Sequence, residues 1–265
     1  MDSFNKQLNN HIKNLSSCLC VGLDISPELL GNSISISECI DHSKKVVDAT
    51  MDLAVAYKPN LAFFERWGSN GIKWLEDILD YINDQTLTIA DGKRGDIGNT
   101  AEQYAKSFFD HFGFDAVTVN PYMGEDAINP FIKRPEKGAF ILCKTSNPSS
   151  EDFQNSLNGQ INLFERVAKK SVEFNKMDNI GLVVGATVPD DIKKLRKIAP
   201  QIPFLIPGVG AQGGNLEKSV SYGNQNGHAL ITISRGIVFS GDKSEGSIRS
   251  AAIDYRDRIM EIING

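Results

Sequence analysis

The sequence predicts an α/β fold, a single (β/α)8 or TIM barrel that takes up residues 1–265 as one domain. Three observations carry that reading. Eight short apolar runs recur at 18–24, 53–58, 87–91, 116–120, 139–144, 180–185, 204–206 and 229–234. They are rich in Val, Ile and Leu, as strands buried on both faces of a parallel sheet should be. The stretches between them read as helices, and 265 residues match the ~250 typical of eight strand–helix units. No linker or low-complexity segment interrupts them.

The first run leads through Cys20-Val21-Gly22-Leu23 to Asp24, and the second ends at Lys58 in Tyr57-Lys58-Pro59-Asn60. The third, Leu87-Thr88-Ile89-Ala90, runs into Asp91-Gly92-Lys93-Arg94-Gly95-Asp96-Ile97-Gly98-Asn99-Thr100. Thr100-Ala101-Glu102-Gln103 then reads as a capping box. Tyr104, Phe108 and Phe112 follow at spacings of four as a packing stripe, and Gly113 is the expected stop. The fourth run ends at Asn120. The fifth leads into the polar stretch 145–159, the longest irregular piece, which reads either as a lid or as a surface insertion. Ile161, Phe164, Val167, Ala168 and Val172 form a second helical stripe. The seventh run is followed by Pro207-Gly208-Val209-Gly210-Ala211-Gln212-Gly213-Gly214, with a helix expected near Asn215, and Arg235-Gly236 closes the eighth.

Composition narrows the function. The hydrophobic content is 41%, the charged content 23% and the net charge -5. This balance suits a soluble enzyme and lacks the basic excess of a nucleic-acid binder. No stretch approaches the ~20 apolar residues of a membrane span. The first 17 residues are polar, with no apolar signal core, so a cytoplasmic location is expected. Cys18, Cys20, Cys39 and Cys143 show no two-residue gap of a zinc or redox pair and read as reduced packing thiols. His11, His42, His111 and His228 fall away from the strand ends and read as surface or structural.

The chemistry collects where strands end. Asp91 and Lys93 are two apart, so on an extended strand they share a face. Charges this close at a strand end are costly unless they meet each other or a substrate. A solvated turn with a salt bridge is the bland alternative. Asp24, Lys58 and Asn120 end other strands on the same rim, where this architecture assembles catalytic groups. The glycines after the seventh run allow backbone N–H groups to face an anion, and Arg235 adds a fork-shaped cation. Loops seven and eight are the usual phosphate site of such barrels. The residues thus describe a barrel that binds a phosphorylated small molecule and faces it with Lys and Asp. Lys58 and Lys93 would compete with a cation, so no metal is expected.

The run 91–100 resembles the Asp-x-Lys-x-x-Asp signature of orotidine 5'-phosphate decarboxylases, and its Gly-Lys-Arg-Gly filling resembles the longer bacterial subgroup. Cys20–Asp24, Tyr57–Asn60, Asn120-Pro121-Tyr122-Met123-Gly124 and Pro207–Gly214 are similar to that family in the same order, so the likeness extends from residue 18 to about residue 236. The resemblance implies a homodimer with shared active sites. It implies conversion of orotidine 5'-monophosphate to uridine 5'-monophosphate and CO2, the last step of de novo pyrimidine synthesis, without cofactor or metal. It makes Lys93 the proton donor to C6 and sets Asp91 beside the substrate carboxylate. Lys58 and Asp24 would hold the ribose hydroxyls, and Lys58 would also join the charged network. Asp96 and Thr100 would come from the partner subunit. Ser146 would touch the pyrimidine, while Gln212 and Arg235 grip the phosphate. Asn120, Pro207, Gly208, Gly213 and Gly236 complete the expected substrate-binding set.

Two other readings share parts of this pattern. Metal-dependent relatives, such as a hexulose-phosphate synthase or a keto-gulonate-phosphate decarboxylase, share the signature but need an acid near the second strand end. Here Lys58 stands there, with Glu65 further on. A non-catalytic nucleotide-binding barrel would have no reason to keep Lys58, Asp91, Lys93 and Asp96 together at some cost.

Overall fold

The computed structural model describes residues 2–31, 33–83, 85–210 and 213–265. Eight parallel strands close into a barrel. They are β1 (Leu19–Leu23), β2 (Ala56–Pro59), β3 (Leu87–Arg94), β4 (Ala116–Val119), β5 (Gly138–Lys144), β6 (Ile180–Val184), β7 (Phe204–Pro207) and β8 (Ala229–Ile233). Each pairs with its sequence neighbours, and β8 closes on β1 through Leu19↔Ile231 and Val21↔Ile233. Strands β1, β4, β6 and β8 are buried along their whole length, as expected for a sheet covered by helices. Every predicted run contains a strand. The second starts later than expected because 51–53 is the turn that ends the helix Ile36–Thr50, with the Leu53 and Ala54 N–H groups donating to Thr50 O.

An N-terminal helix, Phe4–Leu15, packs on the floor of the barrel. Ser3 caps it by accepting from Lys6 N, and Phe4, Leu8 and Ile12 form its buried face. The Phe4 ring meets Phe140 edge-on at 5.9 Å. Gly138 and Gly181 make room for these rings, since a Cβ there would lie 2.4 Å from Phe4 and 2.3 Å from Phe140.

Three local expectations need correction. Thr100 does not cap its helix. Gly98, at φ +52°, starts the turn earlier, so the helix runs Gly98–Lys106 behind Ile97. Gln103 instead donates to Asn99 Oδ1 at 3.2 Å. The chain then widens into a single π-type turn, Ser107–His111, and reverses at Gly113 (φ +75°) as expected. Ile161 lies outside the helix Leu163–Phe174, because it pairs with Asn158 in a hairpin of Leu157–Asn158 and Ile161–Asn162. The stretch 145–159 is therefore not irregular. It holds a 3-10 turn (Pro148–Ser150), a short helix (Glu151–Gln154) and one arm of that hairpin.

All four cysteines are buried and unpaired. His42 is buried, with Nε2 at 2.7 Å from Val238 O. Among the described residues no helix is long and apolar enough to cross a membrane.

Candidate active site

A cavity of about 400 Å³ opens at the C-terminal ends of the strands. Asp24, Lys58, Asp91, Lys93, Ser146, Pro207, Gly208 and Arg235 line it, so one space gathers eight of the residues singled out from sequence. Asn60, Thr232 and Ser234 line it too.

Lys58 lies on β2 opposite Gly22 of β1 and is almost wholly buried. Its Nζ donates to Asp91 Oδ2 at 2.6 Å, while Lys93 Nζ donates to Asp91 Oδ1 at 2.5 Å. One carboxylate thus bridges two ammonium groups. Burial opposes the charge on Asp91, but Lys58 and Lys93 outweigh it and hold this carboxyl well below the usual range. Burial likewise opposes the charge on Lys58, and Asp91 and Asp24 outweigh it, so its pKa rises. The Lys93 side chain is half exposed, whereas that of Asp91 is not, so Lys93 is the end of the network that faces the cavity.

The backbone that carries Lys93 is irregular. Ala90 pairs with Val117 and Arg94 with Val119, so β3 holds two more residues than β4 across that step. Asp91-Gly92-Lys93 form the resulting bulge, and Lys93 sits at φ +47°, a left-handed value rare for a residue with a Cβ. Gly92 lets Leu61 pack against the bulge, since a Cβ there would lie 2.8 Å from the Leu61 Cδ1 and push it aside. The two side chains meet through this bulge rather than by the simple alternation of an extended strand.

Asp24 follows β1, and its Oδ1 is buried with no hydrogen-bond partner among the described residues. Thr232 Oγ1 on β8 is in the same state. Both oxygens line a space a hydroxyl-bearing ligand can fill.

Gly208 (φ +99°), Gly210 (φ +73°) and Gly213 (φ +81°) fold the loop after β7, and Gly208 lines the cavity. Gly214 N donates to Gly208 O at 3.1 Å, and a Cβ on Gly214 would lie 2.5 Å from that oxygen. Asn215 then caps the helix Leu216–Gly223 through Lys218 N. Arg235 is exposed and makes no ion pair with a described residue. Gly213 and Gly236 do not line the cavity, and Gly236 lets Tyr255 pack close, a Cβ being 2.7 Å from its Oη. Gln212 lies outside the described residues.

Ser146 enters the cavity because Gly185 leaves room, a Cβ there being 2.8 Å from Ser146 N. Just before it, Lys144 is buried against neutral oxygens, donating to Asn155 Oδ1 at 2.9 Å and Ser150 Oγ at 3.2 Å. Lys144 thereby ties the strand end to the segment that follows. Sequence reading missed it, although a lysine ending an apolar run was the available signal.

Asp96, Thr100 and Asn120 do not line the cavity of their own chain. Asp96 Oδ1 accepts from Ile97 N, and Asn120 Oδ1 accepts from Tyr122 N. Thr100 is exposed on its helix. Beside them the apolar side chains of Ile97, Tyr122 and Met123 are exposed, Tyr122 at 88%. Glu65, the first acid after Lys58 in sequence, pairs with Arg94 and does not reach the cavity. Among the described residues no group of three or more His, Cys, Asp or Glu is arranged to hold a metal.

The chain resembles known proteins over nearly its whole length. A curated orotidine 5'-phosphate decarboxylase of Dehalococcoides mccartyi is 46% identical over 252 residues, 92% of each chain. That of Natronomonas pharaonis is 43% identical over 244 residues, 91% of this chain and 90% of its own. The structure of Leishmania donovani OMP decarboxylase superposes with a TM-score of 0.88 at 37% identity, covering 99% of this chain and all of that one. Leishmania donovani UMP synthase gives 0.90 at 38% identity, with this chain spanning 57% of its length. The sequence profile of the Orotidine 5'-phosphate decarboxylase / HUMPS family matches residues 17–247, and the chain belongs to that family.

Proposed function

We propose that this enzyme removes CO2 from orotidine 5'-monophosphate, and that Lys93 delivers the proton that completes uridine 5'-monophosphate. The observation that carries the reading is the carboxylate of Asp91 bridged by Lys58 and Lys93 in a cavity that the Pro207-Gly208 turn and Arg235 also line. Breaking the C6–carboxyl bond leaves an electron pair in the ring plane, where no π-system delocalises it. A fixed ammonium stabilises that charge as it forms and then neutralises it by proton transfer to C6. Asp91 next to the substrate carboxylate is repulsive until CO2 leaves.

The remaining roles follow the cavity. The unpartnered Asp24 oxygen and Lys58 suit ribose hydroxyls. Ser146 suits the pyrimidine, and Arg235 with the Pro207-Gly208 turn suits the phosphate. Phosphate binding far from the reacting bond can drive closure of the 145–159 segment and so support the chemical step.

The same reading makes the enzyme a homodimer in which Asp96 and Thr100 of one subunit complete the site of the other. Their absence from the cavity of their own chain supports this, as do the exposed Ile97, Tyr122 and Met123 beside them. The first experiment follows the ultraviolet band of orotidine 5'-monophosphate with and without a chelator. Loss of the band at equal rates is expected, and chelator-sensitive loss would favour a metal-dependent mechanism instead. Shared sites are tested by mixing Asp96→Ala with Lys93→Ala subunits. Heterodimers should regain turnover, because one mixed site is intact, and verified heterodimers that stay inactive would rule the sharing out.

A further inference from the structure

We propose that Thr118 is a positioning residue for the Lys93–Asp91 pair, its hydroxyl holding the β3 bulge in the form that aims Lys93 into the cavity. This rests on the reading of Lys93 as proton donor. Thr118 lies on β4, is 1% exposed and does not line the cavity, so it acts only through its neighbours.

The bulge creates two needs. Between Ala90 and Arg94, which stay paired with β4, the bulge leaves Lys93 outside the ladder, so its N–H needs an acceptor from elsewhere. Asp91, meanwhile, must keep one oxygen on Lys93 and the other on Lys58. Thr118 meets both needs with one group. Its Oγ1 accepts from Lys93 N at 2.9 Å and lies 3.2 Å from Asp91 Oδ1, with Ala90 O further off at 3.5 Å. A hydroxyl has a single proton, and the nearer, charged carboxylate takes it. The backbone N–H of Lys93, the hydroxyl, the carboxylate and the Lys93 ammonium thus form a closed ring of contacts.

That ring opposes a specific relaxation. A residue with a Cβ at φ +47° persists only where its surroundings over-determine it. Without the hydroxyl, a half-buried N–H loses its acceptor and the Asp91 oxygen loses a donor. Return of Lys93 to negative φ would carry its ammonium away from Asp91 and from the reacting carbon. Valine in place of Thr118 keeps the shape and the strand preference but cannot make either bond.

The test compares kcat and UMP affinity for wild type, Thr118→Val, Thr118→Ser and Lys93→Ala. Thr118→Val should lower kcat by at least ~10-fold while UMP affinity stays within about twofold, and Thr118→Ser should recover most of the loss. A merely structural role would lower melting temperature without this split and without rescue by serine. Wild-type kcat in Thr118→Val, or a serine variant as slow as valine, overturns the proposal. If valine does not fold, Thr118→Ala gives the same comparison with neither donor nor acceptor, and wild-type kcat there overturns it too. If Lys93→Ala keeps a tenth of the turnover, the proton-donor reading falls and this inference with it. If Lys93→Ala is inactive while Thr118→Val is normal, this inference alone falls.

Discussion

Lys58 at the mouth of the barrel is 3% exposed and Arg196 at its floor 2%, yet the two buried cations are held by different chemistry. Lys58 is paired with the Asp91 carboxylate at 2.6 Å. Arg196, on the helix Pro189–Ile198, has no carboxylate partner among the described residues. Its guanidinium donates instead to the carbonyl oxygens of Ile202 at 2.7 Å, Gly223 at 2.6 Å, and Ala199 and His228 at 3.0 Å. It also lies over the Phe204 ring at 3.6 Å. Burial opposes the charge at both places. At the floor the opposing force is a cage of fixed dipoles that fills the planar fork and leaves nothing to share. At the mouth it is a carboxylate whose second oxygen is held by the half-exposed Lys93. The first arrangement can only hold loops together, whereas the second places charges where a ligand can reach them. A buried cation therefore marks function by what else its partner touches, not by burial.

The largest expected effect breaks the mouth alone. Lys93→Ala should cost ~10⁴-fold or more in kcat. UMP affinity should change little, and stability should stay near that of wild type because the side chain is half exposed. Stopped turnover with retained binding separates the two ends of the barrel, and a loss of fold would erase the distinction. Arg196→Met breaks the floor alone. It leaves several carbonyl groups without their donor and should cost about 3 kcal/mol of stability. The folded fraction should keep its kcat. Urea unfolding with activity measured well below the midpoint checks both, and a kcat that fell at full folding would mean the floor reaches the site.

These two regions were unequally legible in the sequence. The mouth could be read because Asp24, Lys58 and Asp91 interrupt apolar runs at their ends, where a charge needs a reason. The floor could not. Arg196 sits among Lys193, Lys194 and Lys197 and reads as one more solvated helix charge. Only the return of the chain at 199–202, 223 and 228 supplies its carbonyl cage. The N-terminal helix was hidden for a like reason, since Phe4, Leu8 and Ile12 are few among polar residues and their partner Phe140 is far along the chain. Thr118 looked like filler in Ala116-Val117-Thr118-Val119. Its meaning depends on a register slip between β3 and β4, and local patterns do not carry register. The Thr100 capping box failed because the signature loop itself, through Gly98, decides where the helix begins.

The smallest effect is a pH dependence, and it sharpens the comparison further. Asp91 has its pKa lowered on folding, so its charge contributes stability above the unfolded value, about 3.9, and that contribution is lost as pH falls through the lower folded value. Lys58 has its pKa raised, so its contribution is present below about 10.4 and lost only as pH rises through the higher folded value. Between these limits the pair should be flat with pH. The stability gap between wild type and Asp91→Asn should therefore be constant near neutrality. In acid it should narrow by on the order of 1 kcal/mol, as the wild-type carboxyl takes up the proton that makes it resemble the amide. The gap between wild type and Arg196→Met should not narrow over the same range, because no carboxylate takes part in that cage. Urea midpoints for the three proteins from pH 7 down to the start of acid unfolding would decide it. Parallel gaps at both sites would mean that Asp91 is held by its geometry rather than by its charge, and the contrast between mouth and floor would lose its electrostatic basis.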